Sequence, residues 1–486
     1  MAPTLLLRDV HLGPGGRRTH VRIVGGRVVE LTDDPRTDGE EVVDGAGRTL
    51  LPGLWDAHVH SVQWAQARRR LDVTAARSAR HAADIVADRV RILAMPAHGV
   101  VEGYGFRDAL WPDAMHKDLL EAAIPGVAIA LQSNDIHTLW CSPAALGLLG
   151  LDHPTGVLRE QDCYAAVAAL PRPDAGTVDA WVGAAGAEAA ARGVTGFLDF
   201  EYADGVADWG RRAWEAGPGL RVAVALALPH VDAAVRAGLR TGDPVPGTAG
   251  LVEVGPVKVF ADGSLNTRTA WCHDPYPGTT DHGLPQARPT DLVAAMRQWS
   301  ADGLEVAVHA IGDRAVTTAL DAFEAVGCRG RIEHAQLVRP ADVARAARPG
   351  LVLGVQPAHA PDDRDVADRH WAGRTAAAFA YASLAAAGAR LEIGSDAPVA
   401  PADPWDGIAS AITRTDDGRP PWHPEQALPL PLALAAASRG RTGVHVGDVA
   451  DLTLVDADPA TLSPADLRVI GVSGTLVAGR WVHREL

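Results

Sequence analysis

Six metal-binding side chains of this 486-residue chain lie in five short motifs that are spread over more than three hundred residues. Each motif lies at the end of a short apolar run that reads as a buried strand. Parallel strands of a barrel aim such side chains at one point. The residues are His58 and His60 in PGLWDAHVH, Lys258 in GPVKVFADG, His309 in VAVHAIGD, His334 in RIEHAQ and Asp396 in IGSDAP. The pattern predicts a metal site assembled from distant sequence.

The motifs belong to a longer alternation of short β-rich runs with Ala-rich helical stretches, which is typical of repeated βα units. Eight strand candidates follow one another: DAHVH, GVTGFLDF, RVAVALAL, PVKVF, LEVAVHA, RIEHA, LVLGVQP and LEIGSDA. Eight such units predict an α/β fold with a (β/α)8 TIM barrel. Residues 61–190 do not fit one βα unit. We interpret them as an insertion after the first barrel strand, forming a lid or side wall over the site.

Both ends of the chain are rich in β-forming residues and are predicted to build one small β-sandwich. THVRIVGGRVVEL reads as a hairpin with a turn at Gly25 and Gly26, and DVADLTLVDAD and GTLVAGRWVHREL repeat this character. We therefore place the N-terminal part of the sandwich at residues 1–52, the barrel at residues 53–440 and the C-terminal part at residues 441–486.

Composition excludes several classes of partner. The formal charge of −15, from 45 basic and 60 acidic side chains, comes without a long basic cluster, so nucleic acid is not expected as a partner. The four cysteines are widely spaced without a CxxC pair, which suits reduced thiols in the cytoplasm. Neither a signal-peptide core nor a membrane-spanning apolar run is present, so no membrane partner is expected. The subunit number stays open, with a homodimer as one arrangement.

The histidines and the aspartate each have a structural alternative. His58 and His60 project to the same side of a strand and so can grip one ion together, whereas the alternative is two half-exposed histidines. His309 and His334 end consecutive strand candidates, where either could instead be a hydrogen-bonded core histidine. Asp396, in GSDAP, could cap a helix. As a metal ligand and general base it stays ionised and takes a proton from metal-bound water.

Lys258 is the most diagnostic member of the set. An ammonium group pointing into a cationic pocket is repelled, so a lysine there must be neutral or chemically altered. A neutral lysine can add carbon dioxide to become a carbamate, whose oxygens can bridge two metal ions. The alternative is a lysine paired with Asp262 or with a substrate carboxylate, and the residues alone leave both open.

With these residues placed, the chain resembles the amidohydrolase superfamily, in the branch that contains N-substituted formamide deformylase and the exoenzyme-regulator-like proteins. The matching segments run nearly end to end and include LPGLWDAHVH, NDIHTLWCSPAAL, VKVFADGSLNTRTA, VAVHAIGDRAV, VQPAH and GSDAPVAPADPW. The resemblance implies that His58, His60 and Asp396 bind a first metal and that His309 and His334 bind a second. It also implies that Lys258 bridges them as its carbamate. Asp396 and His334 are the candidate catalytic residues.

Departures from the branch pattern fall in segments expected to face the substrate. Where the branch shows Asp-Gly-His, this chain has Asp135, Ile136 and His137, and where Gly-Ser-Arg-Thr is usual it has residues 266–269, NTRT. Candidate substrate contacts are Tyr104, Trp111, His137, Trp140, Arg268 and His359. The aromatic residues could be packing residues instead, and Arg268 could either hold a substrate carboxylate or pair with Asp274.

The predicted activity is hydrolysis of a non-peptide C–N bond, amide or N-acyl or N-formyl, in a small molecule by metal-activated hydroxide. One or two zinc ions are the first choice for an imidazole-rich site with carboxylates, with Mn²⁺ or Fe²⁺ as alternatives. The same chemistry serves lactone or phosphoester hydrolysis. A barrel protein that binds without turnover is the alternative outside catalysis, although all six ligand positions hold competent residues.

Overall fold

The structure is a computed structural model, which describes residues 4–37, 39–92, 99–215 and 219–486. In chain order, its strands are β1 (Leu5–Leu12), β2 (Arg18–Val24), β3 (Arg27–Thr32), β4 (Glu41–Pro52), β5 (Leu54–Val59), β6 (Leu71–Asp72), β7 (Val100–Phe106), β8 (Ala128–Ser133), β9 (Thr138–Cys141), β10 (Val157–Arg159), β11 (Val194–Asp199), β12 (Arg221–Ala227), β13 (Val252–Phe260), β14 (Val306–Ala310), β15 (Gly330–His334), β16 (Leu351–Val355), β17 (Arg390–Ile393), β18 (Leu452–Val455), β19 (Val472–Val477) and β20 (Arg480–Arg484).

The helices are α1 (Ser61–Ala67), α2 (Ala79–Ile92), α3 (Lys117–Ala123), α4 (Pro143–Leu149), α5 (Gln161–Ala169), α6 (Ala175–Ala191), α7 (Gly205–Glu215), α8 (Leu228–Arg236), α9 (Pro289–Ala301), α10 (Asp313–Val326), α11 (Pro340–Ala346), α12 (His359–Asp362), α13 (Arg364–His370), α14 (Tyr381–Ala386), α15 (Pro404–Thr413), α16 (Leu430–Ala436) and α17 (Pro464–Arg468). Among the residues with described positions, no helix is long and apolar enough to cross a membrane.

The eight predicted barrel strands form one parallel sheet in the order β5-β11-β12-β13-β14-β15-β16-β17. The two ends of this sheet meet through backbone hydrogen bonds, because Asp396 N–H donates to His58 O at 2.7 Å and His60 N–H donates to Ala397 O at 2.9 Å. The helices that alternate with the strands cover the outer face of the sheet, and side chains fill its interior, so both faces are buried and the apolar runs are nearly continuous. The predicted eight-stranded barrel is confirmed as a nearly closed parallel sheet.

Aromatic and small side chains fill the interior of the barrel together. Trp55 and Phe200 pack there against Ala57, Ala223 and Ala307 in one buried cluster. Large side chains on some strands are matched by alanines on others, so the interior is filled without forcing the strands apart. This packed layer supports the strand ends on which the candidate ligands lie.

Strands from both ends of the chain pair in a single seven-stranded sheet, in the order β20-β19-β18-β4-β1-β2-β3. The junction is antiparallel, with Leu452 of β18 opposite Pro52 of β4. Strands β1 to β4 fall within residues 1–52, and β18 to β20 fall within residues 441–486. The joining of the two ends in one sheet is therefore observed. The sandwich and the domain boundaries stay predictions.

Between β5 and β11 lies a second unit with its own five-stranded sheet, ordered β10-β9-β8-β7-β6. Strands β6, β7 and β8 pair in parallel, whereas β9 and β10 are antiparallel to their neighbours. Helices α1 to α6 belong to the same stretch of chain. This stretch corresponds to the predicted insertion at residues 61–190, of which residues 93–98 lie outside the described residues.

Candidate metal centre

His58, His60 and Asp396 converge at the end of β5. His60 Nε2 lies 3.2 Å and His58 Nε2 lies 3.5 Å from Asp396 Oδ1. One candidate ligand atom from each of the three buried side chains lies within 4.8 Å of the others. Asp396 follows β17 at φ +59°, in the left-handed region, and its N–H donates to His58 O. The backbone bond that closes the barrel thus also fixes the carboxylate beside the two imidazoles.

A buried chain of charges orients His58. Its Nδ1 lies 2.8 Å from Glu333 Oε2, and because a carboxylate only accepts, Nδ1 carries the proton and Nε2 keeps its lone pair. Glu333 Oε1 accepts from Arg331 Nε at 2.7 Å, and Arg331 Nη1 donates to Glu392 Oε2 at 2.6 Å. Arg331 and Glu392 therefore hold Glu333 in place, and Glu333 sets the tautomer in which His58 can bind a cation.

His334 and His359 approach the same carboxylate from the other side. His334 Nδ1 and His359 Nε2 lie 3.9 Å and 4.0 Å from Asp396 Oδ2, and the three side chains form a second compact group of candidate ligands. Strand alternation alone would direct His334 away from the face of Glu333. Its backbone at φ +73° departs from the strand conformation, and its ring centroid lies 5.0 Å from that of His58. Asp396 is shared by both groups.

His309 lies against His334, with ring centroids 4.5 Å apart. Its Nε2 is 3.1 Å from Gly263 O, and since a carbonyl only accepts, Nε2 carries the proton. Burial, reinforced by the charge of Lys258, lowers the pKa of His309 to about 3, so the ring is neutral and Nδ1 holds a free lone pair. His309 is close to both compact groups of ligand atoms without belonging to either.

Lys258 is buried beside the histidines. Its Nζ lies 3.5 Å from His58 Nε2, 4.4 Å from the centroid of the Phe200 ring and 5.1 Å from that of Phe260. Burial lowers the pKa of Lys258 to about 8, against the opposing attraction of Glu333 and Asp396. A neutral amine is therefore accessible near neutral pH, as the carbamate hypothesis requires.

The alternative pairing of Lys258 with Asp262 is not seen among the described residues. Asp262 is fully buried, and its two oxygens accept hydrogen bonds from the backbone N–H groups of Trp271, Ile311 and Gly312. The carboxylate thus holds the ends of β13 and β14 together. It also lies 3.6 Å from His309 Nε2.

The donor set fits a divalent cation. Burial lowers the pKa values of His58 and His334, which keeps both imidazoles neutral. Burial opposes ionisation of Asp396, but His58 and His60 outweigh it and hold the pKa of this carboxyl well below its usual range. His359 Nε2 is buried without a hydrogen-bond partner among the described residues. Imidazoles around an ionised carboxylate, with an unpartnered nitrogen, suit a cation such as Zn²⁺.

A cavity of about 750 Å³ opens over these residues. The barrel forms its floor, and the insertion forms a wall that is tied to the barrel loops by polar bonds. Four such bonds join Arg107 to Asp362, Asn134 Nδ2 to Val399 O at 2.8 Å, Ser264 Oγ to Asp135 Oδ2 at 2.8 Å, and Asn266 Nδ2 to Asp108 Oδ1 at 3.2 Å. The insertion thus lies where the sequence predicted a lid or side wall.

Two of the six predicted substrate contacts, His137 and His359, line this cavity. A third, Tyr104, is buried just behind its wall, where the hydroxyl lies 2.7 Å from both Asn134 O and Pro398 O. Tyr104 therefore ties the insertion to the loop that follows Asp396. Contact of these three residues with a substrate stays a prediction.

The structure does not bring the other three predicted contacts to the cavity. Trp140 is fully buried in the apolar core of the insertion, and Trp111 packs on Phe106 with ring centroids 5.6 Å apart. Arg268 is exposed beside a second cavity of about 470 Å³, and its alternative pairing with Asp274 is not seen in the described part of the chain. Both tryptophans are packing residues, which was the alternative to a substrate contact.

Several residues that organise the site were missed in the sequence. Arg331 and Glu333 could have been found, because alternation in RIEH places them on one face of a strand that ends in a ligand. Gln356, whose Oε1 lies 2.9 Å from His334 Nδ1, follows β16 in VQP, at the level where the barrel ligands lie. Glu160, which lies 2.8 Å from His137 Nδ1, carries no such signal, since the insertion has no repeating unit.

Comparisons with known proteins agree with this geometry. The model of the Amidohydrolase family matches residues 41–483. The chain is 28% identical over 501 residues to "Putative amidohydrolase YtcJ" of Bacillus subtilis, covering 94% of this chain and 93% of that protein. It is 28% identical over 196 residues to "N-substituted formamide deformylase" of Arthrobacter pascens, covering 36% of each chain. The resemblance inferred from the sequence motifs is confirmed.

The fold is shared with a solved structure. The crystal structure of an uncharacterized metal-dependent hydrolase from Pyrococcus horikoshii OT3 is similar with a TM-score of 0.78 and 22% sequence identity. The match covers 95% of this chain and 99% of the other. The fold is therefore shared with that protein over nearly the whole of both chains.

Proposed function

This chain belongs to the amidohydrolase family of metal-dependent hydrolases, and we propose that it hydrolyses a non-peptide C–N bond in a small molecule. Amides and N-acyl or N-formyl amines are the expected substrates. The name of the deformylase relative supports this class over lactones and phosphoesters. Membership of the family rests on the sequence comparison, whereas the proposed chemistry rests on the residues of the site.

One observation carries the proposal: Asp396 is shared by two compact groups of candidate ligands on the floor of one cavity. An ionised carboxylate is costly to bury without a cation. The same carboxylate faces the space where a substrate would lie. It can therefore both hold a cation and exchange a proton with a reacting molecule.

The candidate ligands divide between two cation positions. His58 and His60 would hold a first cation with Asp396. His334, which belongs to the second group, would hold a second cation together with His309, whose ring centroid lies 4.5 Å from that of His334. Lys258, as its carbamate, would bridge the two. Zinc suits this imidazole-rich set best, with Mn²⁺ or Fe²⁺ as alternatives. A bound divalent cation supplies Lewis-acid chemistry, since it polarises a carbonyl oxygen and lowers the pKa of water.

The chain's own residues then handle the proton. Asp396 accepts the proton of the attacking water at a carboxylate oxygen and delivers it to the leaving nitrogen, so that an acid and an amine are formed. His334 stays neutral because of its burial and is held through Nδ1 by Gln356. The His334 ring lies between the rings of His58 and His309 and so fixes the spacing between the ligands of the two cations.

A substrate panel tests the activity. Metal-loaded protein would be assayed on N-formyl amines, N-acyl amines, cyclic amides, lactones and phosphotriesters. Turnover of at least one of the first three, at a rate well above that of the last two, is the expected result. Preferential turnover of lactones or phosphotriesters would overturn the C–N assignment. Persistent absence of bound metal after reconstitution, measured by elemental analysis, would favour a barrel without catalysis.

A labelling experiment tests the carbamate. Protein reconstituted with metal and ¹³C-bicarbonate should show one protein-bound carbamate signal by carbon NMR. The Lys258→Met variant should lack this signal, because no other candidate amine lies in the cavity wall among the described residues. A signal that persists in this variant, or its absence from the wild-type protein, would contradict the bridging role.

A further inference from the structure

His137 faces the candidate metal ligands from the insertion side of the cavity. It lies in the turn between β8 and β9, lines the cavity wall, and has its ring centroid 6.2 Å from that of His309. The preceding Ile136 has φ +60°, which is uncommon for a β-branched residue. This strained turn presents the His137 ring toward the barrel floor.

One nitrogen of His137 is engaged by the buried carboxylate of Glu160 and by the half-buried hydroxyl of Tyr164. Its Nδ1 lies 2.8 Å from Glu160 Oε2 and 2.8 Å from Tyr164 Oη. The other oxygen of Glu160 accepts from Thr269 Oγ1 at 2.6 Å and from Thr267 Oγ1 at 2.9 Å. The carboxylate is therefore held from both sides, since the threonines belong to the loop after β13 and the histidine belongs to the insertion.

The surroundings make His137 and Glu160 an ion pair. Glu160 is only 6% exposed, and a buried carboxylate needs a partner of opposite charge. Burial disfavours the imidazolium, but Glu160 outweighs it and raises the pKa of His137 to about 9. Burial also opposes ionisation of Glu160, yet His137 and the two threonine hydroxyls lower the pKa of this carboxyl to about 2.

An imidazolium carries a proton on each nitrogen. With Nδ1 engaged, Nε2–H is left as a donor on the cavity side. No described residue accepts a hydrogen bond from it. A cationic donor that lacks a protein acceptor, within reach of the ligands of the metal, fits an oxygen atom of a bound substrate.

We propose that His137 is a catalytic residue that donates from Nε2 to the oxygen of the scissile carbonyl, and that Glu160 is the positioning residue that holds its ring. The inference rests on the proposed hydrolysis of a C–N bond. When water attacks, the new C–O bond forms and the carbonyl π electrons move to the oxygen, which becomes an anion facing Nε2–H. Expulsion of the protonated nitrogen restores the carbonyl and yields an acid and an amine.

The same geometry narrows the class of substrate. A fixed cationic donor favours a carbonyl oxygen and disfavours the protonated nitrogen of an amidine, which has no lone pair to accept with. The chain should therefore prefer amides and formamides to amidines. The hydrogen bond from His137 is strongest to the oxyanion of the transition state. It should therefore raise kcat more than it lowers KM.

The test compares His137→Gln with Glu160→Gln in metal-loaded protein, with His483→Gln as a matched control. His483 is a half-buried histidine that hydrogen-bonds Val472 O in the terminal sheet. We expect kcat on an amide to fall about 10²–10³-fold in His137→Gln, with little change in KM. Glu160→Gln should lose about 10-fold, by analogy with the lower end of the losses caused by removing the carboxylate partner of a metal-binding histidine. The control should match the wild type.

A thioamide probe separates catalysis from a structural tie. Sulfur accepts hydrogen bonds weakly, so the wild-type rate ratio of amide to thioamide should shrink in His137→Gln. An unchanged ratio, or an unchanged kcat, overturns the assignment while leaving amide hydrolysis intact. If the wild-type protein hydrolyses no amide, the proposed function fails first. If His137→Gln does not fold, the rate and ratio of Glu160→Gln decide the question.

Discussion

The barrel floor and the insertion wall hold their functional side chains in different ways. On the floor, His58 is fixed by a strand and by the buried chain through Glu333 and Arg331. On the wall, His137 is held in a turn by an ion pair with Glu160, which also lies in the insertion and accepts hydrogen bonds from Thr267 and Thr269 of the barrel loop after β13. The floor thus carries a site that is rigid and set by the fold, whereas the wall carries contacts that can change with little cost to the barrel.

The largest effect on catalysis should come from replacing Asp396 on the barrel floor. Replacement with Asn removes the proton acceptor and one anionic ligand, so kcat should fall by about 10³-fold in protein reconstituted with excess metal. Steady-state kinetics, with metal content measured on the same sample, check this expectation. Turnover equal to that of the wild type would remove Asp396 from the mechanism.

A paired measurement of metal affinity sharpens the contrast between the regions. Glu333→Gln should weaken metal binding about 10–100-fold, because His58 loses the partner that fixes its tautomer. Asp135→Asn, on the insertion wall, should leave the affinity unchanged. Competition with a chelator gives both values. Equal losses in the two variants would show that the wall, too, organises the metal centre.

The ion pair of His137 and Glu160 within the insertion wall should contribute stability that depends on pH. His137 has its pKa raised from 6.5 to about 9, so its contribution is full below pH 6.5 and is lost as the pH rises through 9. Glu160 has its pKa lowered from 4.5 to about 2, so its contribution is full above pH 4.5 and is lost as the pH falls through 2. The pair therefore stabilises most between about pH 4.5 and 6.5.

Urea unfolding of the wild type and His137→Gln at about pH 5.5 and about pH 9.5 measures this contribution. The difference in unfolding free energy should be about 3 kcal/mol at the lower pH and should shrink at the higher pH. His483→Gln should show no such trend. A difference that grows with pH would contradict the charged state of the pair.

The smallest effect should come from the outer tie between Arg107 and Asp362. The side chain of Arg107 is 44% exposed, so solvent screens the pair. Arg107→Gln should cost less than about 1 kcal/mol of stability and should raise KM rather than lower kcat. A thermal melt and steady-state kinetics give the two quantities. A large fall in kcat would mean that the wall position controls the chemistry.

The same contrast explains what could be predicted from the sequence. The eight barrel strands and the convergence of His58, His60 and Asp396 follow from local runs and from the rule that barrel strands end at one face. The pairing of β6 to β10 depends on contacts between distant residues, which no local period encodes. For the same reason, Trp140 lies in the core of the insertion instead of at the cavity.

The position of His359 could be predicted only in part from its sequence motif. Its motif, VQPAH, predicts a polar residue at the barrel mouth, and the structure places His359 at the cavity wall. Its proximity to Asp396, at 4.0 Å, depends on the turn into α12 after β16. Sequence spacing gives the strand end but not the direction of the chain beyond it.

The antiparallel pairing of β18 with β4 has a consequence for how the protein is made. During synthesis on the ribosome, β4 is available early, whereas its neighbour in the sheet emerges about four hundred residues later. One edge of β4 must therefore stay open to water, or to a chaperone, throughout elongation. Closing that edge is among the last events of assembly, so truncation before residue 452 would leave an exposed strand edge and a chain prone to aggregation.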